Sequence, residues 1–267
     1  MDKKVSVLMG IYNCADTLEE AIASIQKQAY QNWELILCDD GSKDGTYAVA
    51  KKLADKDARI VLIKNATNLG LNKTLNHCLR VASGDYIARM DGDDLCDATR
   101  FEKQVTFLND HPEFSIVSTP MIYFDETGPW GRSYAIKQPS CEDVVTGSPI
   151  CHAPVMLRKE CMDAVNGYSE DKRTLRVEDV DLWIRLYVAG YRCYNLEEPL
   201  YWMRNDQAAY ARRKYRYRIN STYVRLKGCK QLKLGIICYL KAFNPMIIGL
   251  IPGKIRRFLK KQLYTKQ

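Results

Sequence analysis

Apolar and polar positions along the first hundred residues repeat one pattern four times. Short, β-rich apolar runs cover Val5–Ile11, Trp33–Cys38, Arg59–Lys64 and Asp85–Met90. Between them lie segments of helical period, Thr17–Ala29, Thr46–Lys56 and Gly70–Ala82, the last stopped by Gly84. In the first of these Leu18, Ala21, Ile22 and Ile25 share one face, and Thr17-x-x-Glu20 reads as a capping box. Strand and helix in alternation predict right-handed βαβ crossovers and an α/β fold: a mostly parallel sheet with helices on both faces. Further helical patterns follow at Ala98–Asn109 and around Leu182, Trp183, Leu186 and Tyr187. Short strands and loops fill the rest of residues 120–205.

In open sheets of this kind ligands bind outside the carboxyl ends of the strands. Those ends carry Tyr12-Asn13, Asp39-Asp40-Gly41-Ser42, Asn65–Asn68 and Asp91-Gly92-Asp93-Asp94. All four polar clusters are therefore expected along one edge, although periodicity does not give the strand order. Walker A spacing is missing from Gly41–Thr46, and no G-x-G-x-x-G follows the first strand, which argues against a P-loop or an ordinary dinucleotide site. Three carboxylates in four residues repel one another unless a cation joins them. Oxygen ligands in a tight turn suit Mg²⁺ or Mn²⁺, with substrate phosphates completing the shell. The plainer alternative is a solvated acidic turn ahead of the next helix. Asp39-Asp40 can likewise be read as an N-cap arrangement.

Composition adds limits. With 46% apolar, 27% charged and 10% aromatic residues, the 267-residue chain has the make-up of a globular protein and not of a disordered one. Ten cysteines include no C-x-x-C pair and only three histidines accompany them, so buried reduced thiols fit better than disulfides or zinc. Met1-Asp2-Lys3-Lys4 leads straight into Val5, unlike a secretory signal.

Charge divides the chain. Residues 1–203 hold 23 Lys+Arg against 31 Asp+Glu, whereas residues 204–267 hold 17 against 1. Such a basic tail points to an anionic partner. Apolar clusters at 232–240 and 243–251, separated by Asn244-Pro245, are too short to span a bilayer. They read as two amphipathic segments lying on an anionic membrane surface, with a helical cap on the core as the alternative. Nucleic acid is disfavoured, because no helix-turn-helix, RNP or zinc-finger pattern accompanies the basic residues.

Six elements in order resemble family 2 glycosyltransferases of the GT-A fold. They are Val5–Asn13, Ile36–Thr46, Asn68–Leu71, Gly84–Asp94, Cys151–Lys159 and Glu178–Trp183, covering roughly residues 3–205. Gly10 departs from the family's usual Pro, which would loosen that loop. The resemblance implies an inverting, metal-dependent transfer from a nucleotide sugar, most often UDP-linked, to a hydroxyl of a glycan acceptor. It implies that Tyr12 stacks on the base, that Asp40 accepts from a base N–H, and that Asn68 belongs to the same donor site. Asp91-Gly92-Asp93 matches the family's D-x-D, with Asp91 near the ribose, Asp93 on Mn²⁺ or Mg²⁺, and Asp94 able to share either task. Asp179 corresponds to the catalytic base, and His152 to a position that contacts metal or diphosphate in some relatives.

The expected organisation is a GT-A domain over 1–205, with a nucleotide-binding half at 1–100 and an acceptor half at 101–205. A basic amphipathic helical tail at 206–267 completes it. The expected setting is cytoplasmic, peripheral on the inner face of the cell membrane, with a lipid-linked acceptor in cell-surface polysaccharide synthesis. Two other classes stay open on the residues: a nucleotidyltransferase, which would want a basic triphosphate loop near the first strand, and a catalytically silent sugar-nucleotide or nucleic-acid binder.

Overall fold

The computed structural model describes residues 3–204 and 214–251. Its first part realises the alternation: β1 (Val5–Ile11), α1 (Ala15–Gln26), β2 (Trp33–Asp39), α2 (Thr46–Ala54), β3 (Ile60–Lys64), α3 (Leu71–Val81) and β4 (Tyr86–Arg89). The capping box at Thr17 does not form. Helix α1 starts two residues earlier, after Cys14, and the Thr17 hydroxyl instead donates to the carbonyls of Cys14 and Gly92. The hydroxyl thus acts as a donor to two carbonyls, one of them tertiary, where a cap would have it accept from a local N–H.

The chain continues through β5 (Leu95–Cys96), α4 (Arg100–Asp110), β6 (Ile116–Ser118), β7 (Met121–Asp125) and β8 (Gly128–Arg132). Then come α5 (Cys141–Thr146), β9 (Met156–Arg158), α6 (Lys159–Ala164), α7 (Glu178–Val188), β10 (Cys193–Asn195) and β11 (Tyr201–Arg204). Seven strands form the main sheet in the order β10-β6-β9-β4-β1-β2-β3, and a smaller sheet runs β5-β11-β7-β8. Within the main sheet β1, β2, β3 and β4 are parallel, while β9 pairs antiparallel with both β4 and β6. The main sheet therefore draws its strands from both sides of residue 100.

Alternation along the strands supplies a core on each face. Val5, Val7, Met9, Leu35 and Leu37 pack with Leu18, Ile22 and Ile25 of α1 and Phe101 and Val105 of α4. Leu8, Ile36 and Cys38 point the other way, into a cluster that includes Leu75 of α3 and Leu182, Trp183 and Leu186 of α7. This is the period-two pattern of strands covered on both sides. Gly10 lies inside β1 opposite Cys38. A Cβ there would stand 3.0 Å from Thr74 Cγ2, so the residue permits close helix packing and leaves no loosened loop.

The tail divides into two kinds of structure. Helix α8 (Arg216–Gln231) packs on the core: Val224 and Cys229 are buried, and Gly228 lets it approach Ile184 of α7, where a Cβ would lie 2.8 Å from Ile184 Cδ1. Arg225 is buried and donates to the carbonyls of Val145 and Gly147. For this stretch the helical-cap alternative describes the structure, because Arg225 and Gly228 are used in packing. Helices α9 (Ile236–Lys241) and α10 (Asn244–Leu250) match the two short segments expected, with Pro245 opening α10, where a missing N–H costs nothing. Residues 206–213 and 252–267 of the expected tail lie outside the described residues.

Candidate active site

Strand order decides the site. From β1 the chain winds outward through β2 to β3, then returns to place β4 on the other side of β1. The crevice between β1 and β4 is thus the topological switch point, where the carboxyl ends leave room for a ligand. A cavity of about 590 Å³ opens there. Tyr12, Asp40, Asn68, Asp91 and Asp93, five of the seven expected site residues, line it.

Beside β2, Asp40 is nearly inaccessible and holds the neighbouring loop. Its Oδ1 accepts from Asn65 Nδ2 and Leu69 N, both at 2.8 Å, and its Oδ2 from Gly70 N at 2.9 Å. Asn65 is fixed in turn by His77 Nδ1 at 2.9 Å and donates to the Thr74 hydroxyl at 3.1 Å. Gly41 makes this proximity possible: its φ is +70°, and a Cβ would sit 2.8 Å from the Thr67 carbonyl carbon. The N-cap alternative for Asp39-Asp40 is not what forms, since α2 begins after Gly45 with no side-chain cap. Next to it, Asn13 accepts from Lys43 N at 2.9 Å and its own N–H donates to Ser42 Oγ at 3.1 Å, tying the first two loops together. Tyr12 stands 44% exposed over the cavity.

After β4, Asp91, Asp93 and Asp94 bring carboxylate oxygens within 4.8 Å of one another, and Asp93 is the most open of the three. Asp91 is paired with the buried guanidinium of Arg89. Burial works against charge on Arg89, but Asp91 and Tyr201 outweigh it and hold the group above its ordinary pKa. Asp94 is buried, and its oxygens accept from the Tyr201 hydroxyl at 2.9 Å and Arg204 N at 2.8 Å. Burial, and then the charges of Asp91 and Asp93, push its carboxyl well above the usual range. Crowding of like charge in a turn of oxygen donors is what a hard divalent cation relieves, so these residues fit Mn²⁺ or Mg²⁺.

The two remaining expected residues stand apart from that cluster. His152 Nε2 lies 2.8 Å from the Tyr168 hydroxyl, and its ring packs edge-on against Trp183. Burial, with Arg89 adding to it, keeps the ring neutral well below its ordinary pKa. Asp179 sits in the first turn of α7, where its Oδ1 accepts from Val180 N at 2.8 Å; the cavity wall itself is formed by Glu178. Both acids titrate high. Burial raises Asp179 against the opposing pull of Val180 N–H and Arg89, and burial together with the Asp179 charge raises Glu178.

Several lining or supporting residues were not singled out from the sequence. Arg89 carried a signal, a charge inside an apolar strand, and Asn65 stood in a flagged polar cluster. Tyr201 and Arg204 reach the aspartate turn from β11, more than 100 residues away, and Tyr217 joins the cavity wall from α8. Nothing local marks them.

Residues 6–164 match the family model described as Glycosyl transferase family 2. A Bacillus subtilis (strain 168) protein named as a glycosyltransferase, EpsE, is 45% identical over 266 residues, covering 99% of this chain and 96% of that one. From Escherichia coli, the UDP-Glc:alpha-D-GlcNAc-diphosphoundecaprenol beta-1,3-glucosyltransferase WfaP is 30% identical over 72% of this chain and 73% of its own. Among solved structures, Staphylococcus aureus TarS 1–349 in complex with UDP superposes with a TM-score of 0.70 at 17% identity, covering 91% of this chain and 70% of that one. The Pyrobaculum calidifontis mannosyltransferase PcManGT, in complex with GDP-Man and Mn²⁺, gives 0.65 at 18% identity, covering 98% and 81%. These likenesses bear out the GT-A fold and set aside the nucleotidyltransferase and silent-binder alternatives. With the aspartate turn at its switch point and a relative matched end to end, this chain belongs to glycosyltransferase family 2 and is a glycosyltransferase.

Proposed function

We propose that the protein transfers a sugar, with inversion, from a UDP-linked donor to a hydroxyl of a lipid-linked glycan in cell-surface polysaccharide synthesis. The observation that carries this reading is the Asp91–Asp94 turn facing Tyr12 and Asp40 across one cavity. A base stacks on the Tyr12 ring, and Asp40, with Oδ2 accepting one N–H, keeps capacity for a base N–H. Asp91 takes the ribose. Asp93 holds Mn²⁺ or Mg²⁺, which when bound offsets the charge of a departing diphosphate. His152, part-buried with its Nε2 2.8 Å from the Tyr168 hydroxyl, is the further contact for the metal or the diphosphate.

Transfer requires the acceptor hydroxyl to lose its proton as it attacks, and a carboxylate within hydrogen-bond reach does this work. Asp179 is that base, with Glu178 beside it orienting the acceptor from the wall. Direct attack opposite the leaving group inverts the anomeric centre and needs no second carboxylate nucleophile. The acceptor side is built by residues 101–205, with Tyr217 of α8 contributing.

The name of the WfaP relative, which includes a diphosphoundecaprenol acceptor, supports the lipid-linked reading. Among the described residues no helix is long and apolar enough to cross a membrane. The basic tail supports a peripheral position on the inner, cytoplasmic face. The deciding experiment is nucleotide release across UDP, GDP and TDP sugars with Mn²⁺ and an undecaprenyl-diphosphate-linked sugar. Turnover confined to another base, or with a free sugar acceptor alone, would overturn the respective part.

A further inference from the structure

We infer that one face of α9 and α10, an apolar stripe turned away from the core, is the surface by which this enzyme seats on an anionic lipid bilayer. The inference rests on the membrane reading above and gives it particular residues. Ile236, Leu240, Phe243, Ile247 and Leu250 recur at steps of three and four, the spacing of one helical face. All five are exposed, Ile236 at 73% and Leu250 at 74%, with Ile237 and Ile248 exposed beside them. The opposite face, Cys238, Ala242 and Pro245, is the buried one. Amphipathic helices on a globular core bury their larger apolar face. Here small residues face inward and large aliphatic ones outward. A contiguous exposed patch of this kind marks an interaction surface.

Charge selects the partner. Residues 214–251 contain eight Lys+Arg and no Asp or Glu. Lys227, Lys230 and Lys233 are exposed on the approach to α9. Large aliphatic residues among cations, with no acidic residue, complement acyl chains beneath anionic headgroups. A second copy of the same surface would bring like charges together. The face is also coupled to the catalytic body. Lys241 pairs with Glu142, Arg225 is bonded to the Val145 and Gly147 carbonyls, and the same α8 carries Tyr217 in the cavity wall. Docking of the stripe therefore fixes the cavity at a set position relative to the bilayer.

The test uses full-length protein and flotation with vesicles of phosphatidylglycerol and phosphatidylcholine, or phosphatidylcholine alone. Wild type is expected to float with the anionic vesicles, and less so as salt rises. The triple variant Ile236→Asp, Leu240→Asp, Ile247→Asp changes only exposed side chains and is expected to lose at least tenfold in binding. Retained UDP affinity by calorimetry shows that the variant is folded, and Ile236→Ser, Ile247→Ser should give an intermediate loss if the acidic triple does not fold. Wild type that ignores anionic vesicles, or a folded variant that binds as well as wild type, overturns the inference. So does a wild-type dimer in solution that the variant converts to monomer without any effect on vesicles. Flotation that persists in a protein with no nucleotide-sugar turnover would leave this surface standing and refute the catalytic reading alone.

Discussion

The Tyr201 hydroxyl donates to Asp94 Oδ2 across 2.9 Å, and the backbone N–H of Asp91 reaches the same phenol oxygen at 3.2 Å. One side chain from the small sheet thereby fixes both ends of the aspartate turn. Tyr201→Phe leaves buried Asp94 with one donor fewer and the Asp91 amide without its acceptor. A loss of about 1–3 kcal/mol is expected, read as a lowered urea midpoint with unchanged slope. Donor affinity should fall with it, because Asp91 and Asp94 lose their shared support and Asp93 lies between them.

Asp93→Ala should abolish transfer and sharply weaken UDP-sugar binding in the presence of Mn²⁺, since Asp93 is the most open carboxylate of the turn. Chelation of wild type with EDTA should do the same. Full turnover in EDTA would rule out the assigned metal.

Asp179→Asn keeps the shape of α7's first turn but takes no proton. Expected is a fall in kcat of roughly 10²–10⁴ with donor affinity retained, measured by turnover beside calorimetry with UDP and Mn²⁺. Glu178→Gln, in the cavity wall, is expected to raise the acceptor KM more than it lowers kcat. The opposite ranking of the two variants would move the base to Glu178.

Both acids retain their protons to higher pH than ordinary carboxyls because burial disfavours the charged form. A base must be ionised to act, so activity is lost as pH falls through these raised values. The acid limb of the pH profile should therefore lie above the usual carboxylate range and shift in Asp179→Asn. His152, held neutral, should contribute no limb near pH 6.5.

Gly41→Ala introduces a Cβ 2.8 Å from the Thr67 carbonyl carbon on backbone with φ +70°. The loop carrying Asn68 must move, and Asp40 loses its bonds to Leu69 and Gly70 N–H. Weaker UDP affinity is expected with kcat at saturating donor much less affected, read from the KM–kcat split.

Much of this protein was legible without coordinates, for local reasons. The alternation of Val5–Ile11 and Trp33–Cys38 with the face of Leu18, Ala21, Ile22 and Ile25 encodes strand, helix and burial within a few residues. Polar clusters after each strand marked the edge where the cavity lies, and two apolar clusters marked α9 and α10, although Asn244-Pro245 opens the second helix and does not divide the two. What the sequence left open depends on contacts between distant residues. Which clusters are neighbours was decided by β4 returning to the far side of β1, an outcome of packing that no period records. Thr17 looked like a cap until Gly92, 75 residues on, offered its carbonyl. The tail's charge concealed a division between α8, whose buried Arg225 donates to the Val145 and Gly147 carbonyls, and the outward stripe beyond it. The residue types needed for the site were written in order along the chain. Tertiary structure alone decided which of them share a cavity, because burial and hydrogen bonding are set by neighbours in space, not in sequence.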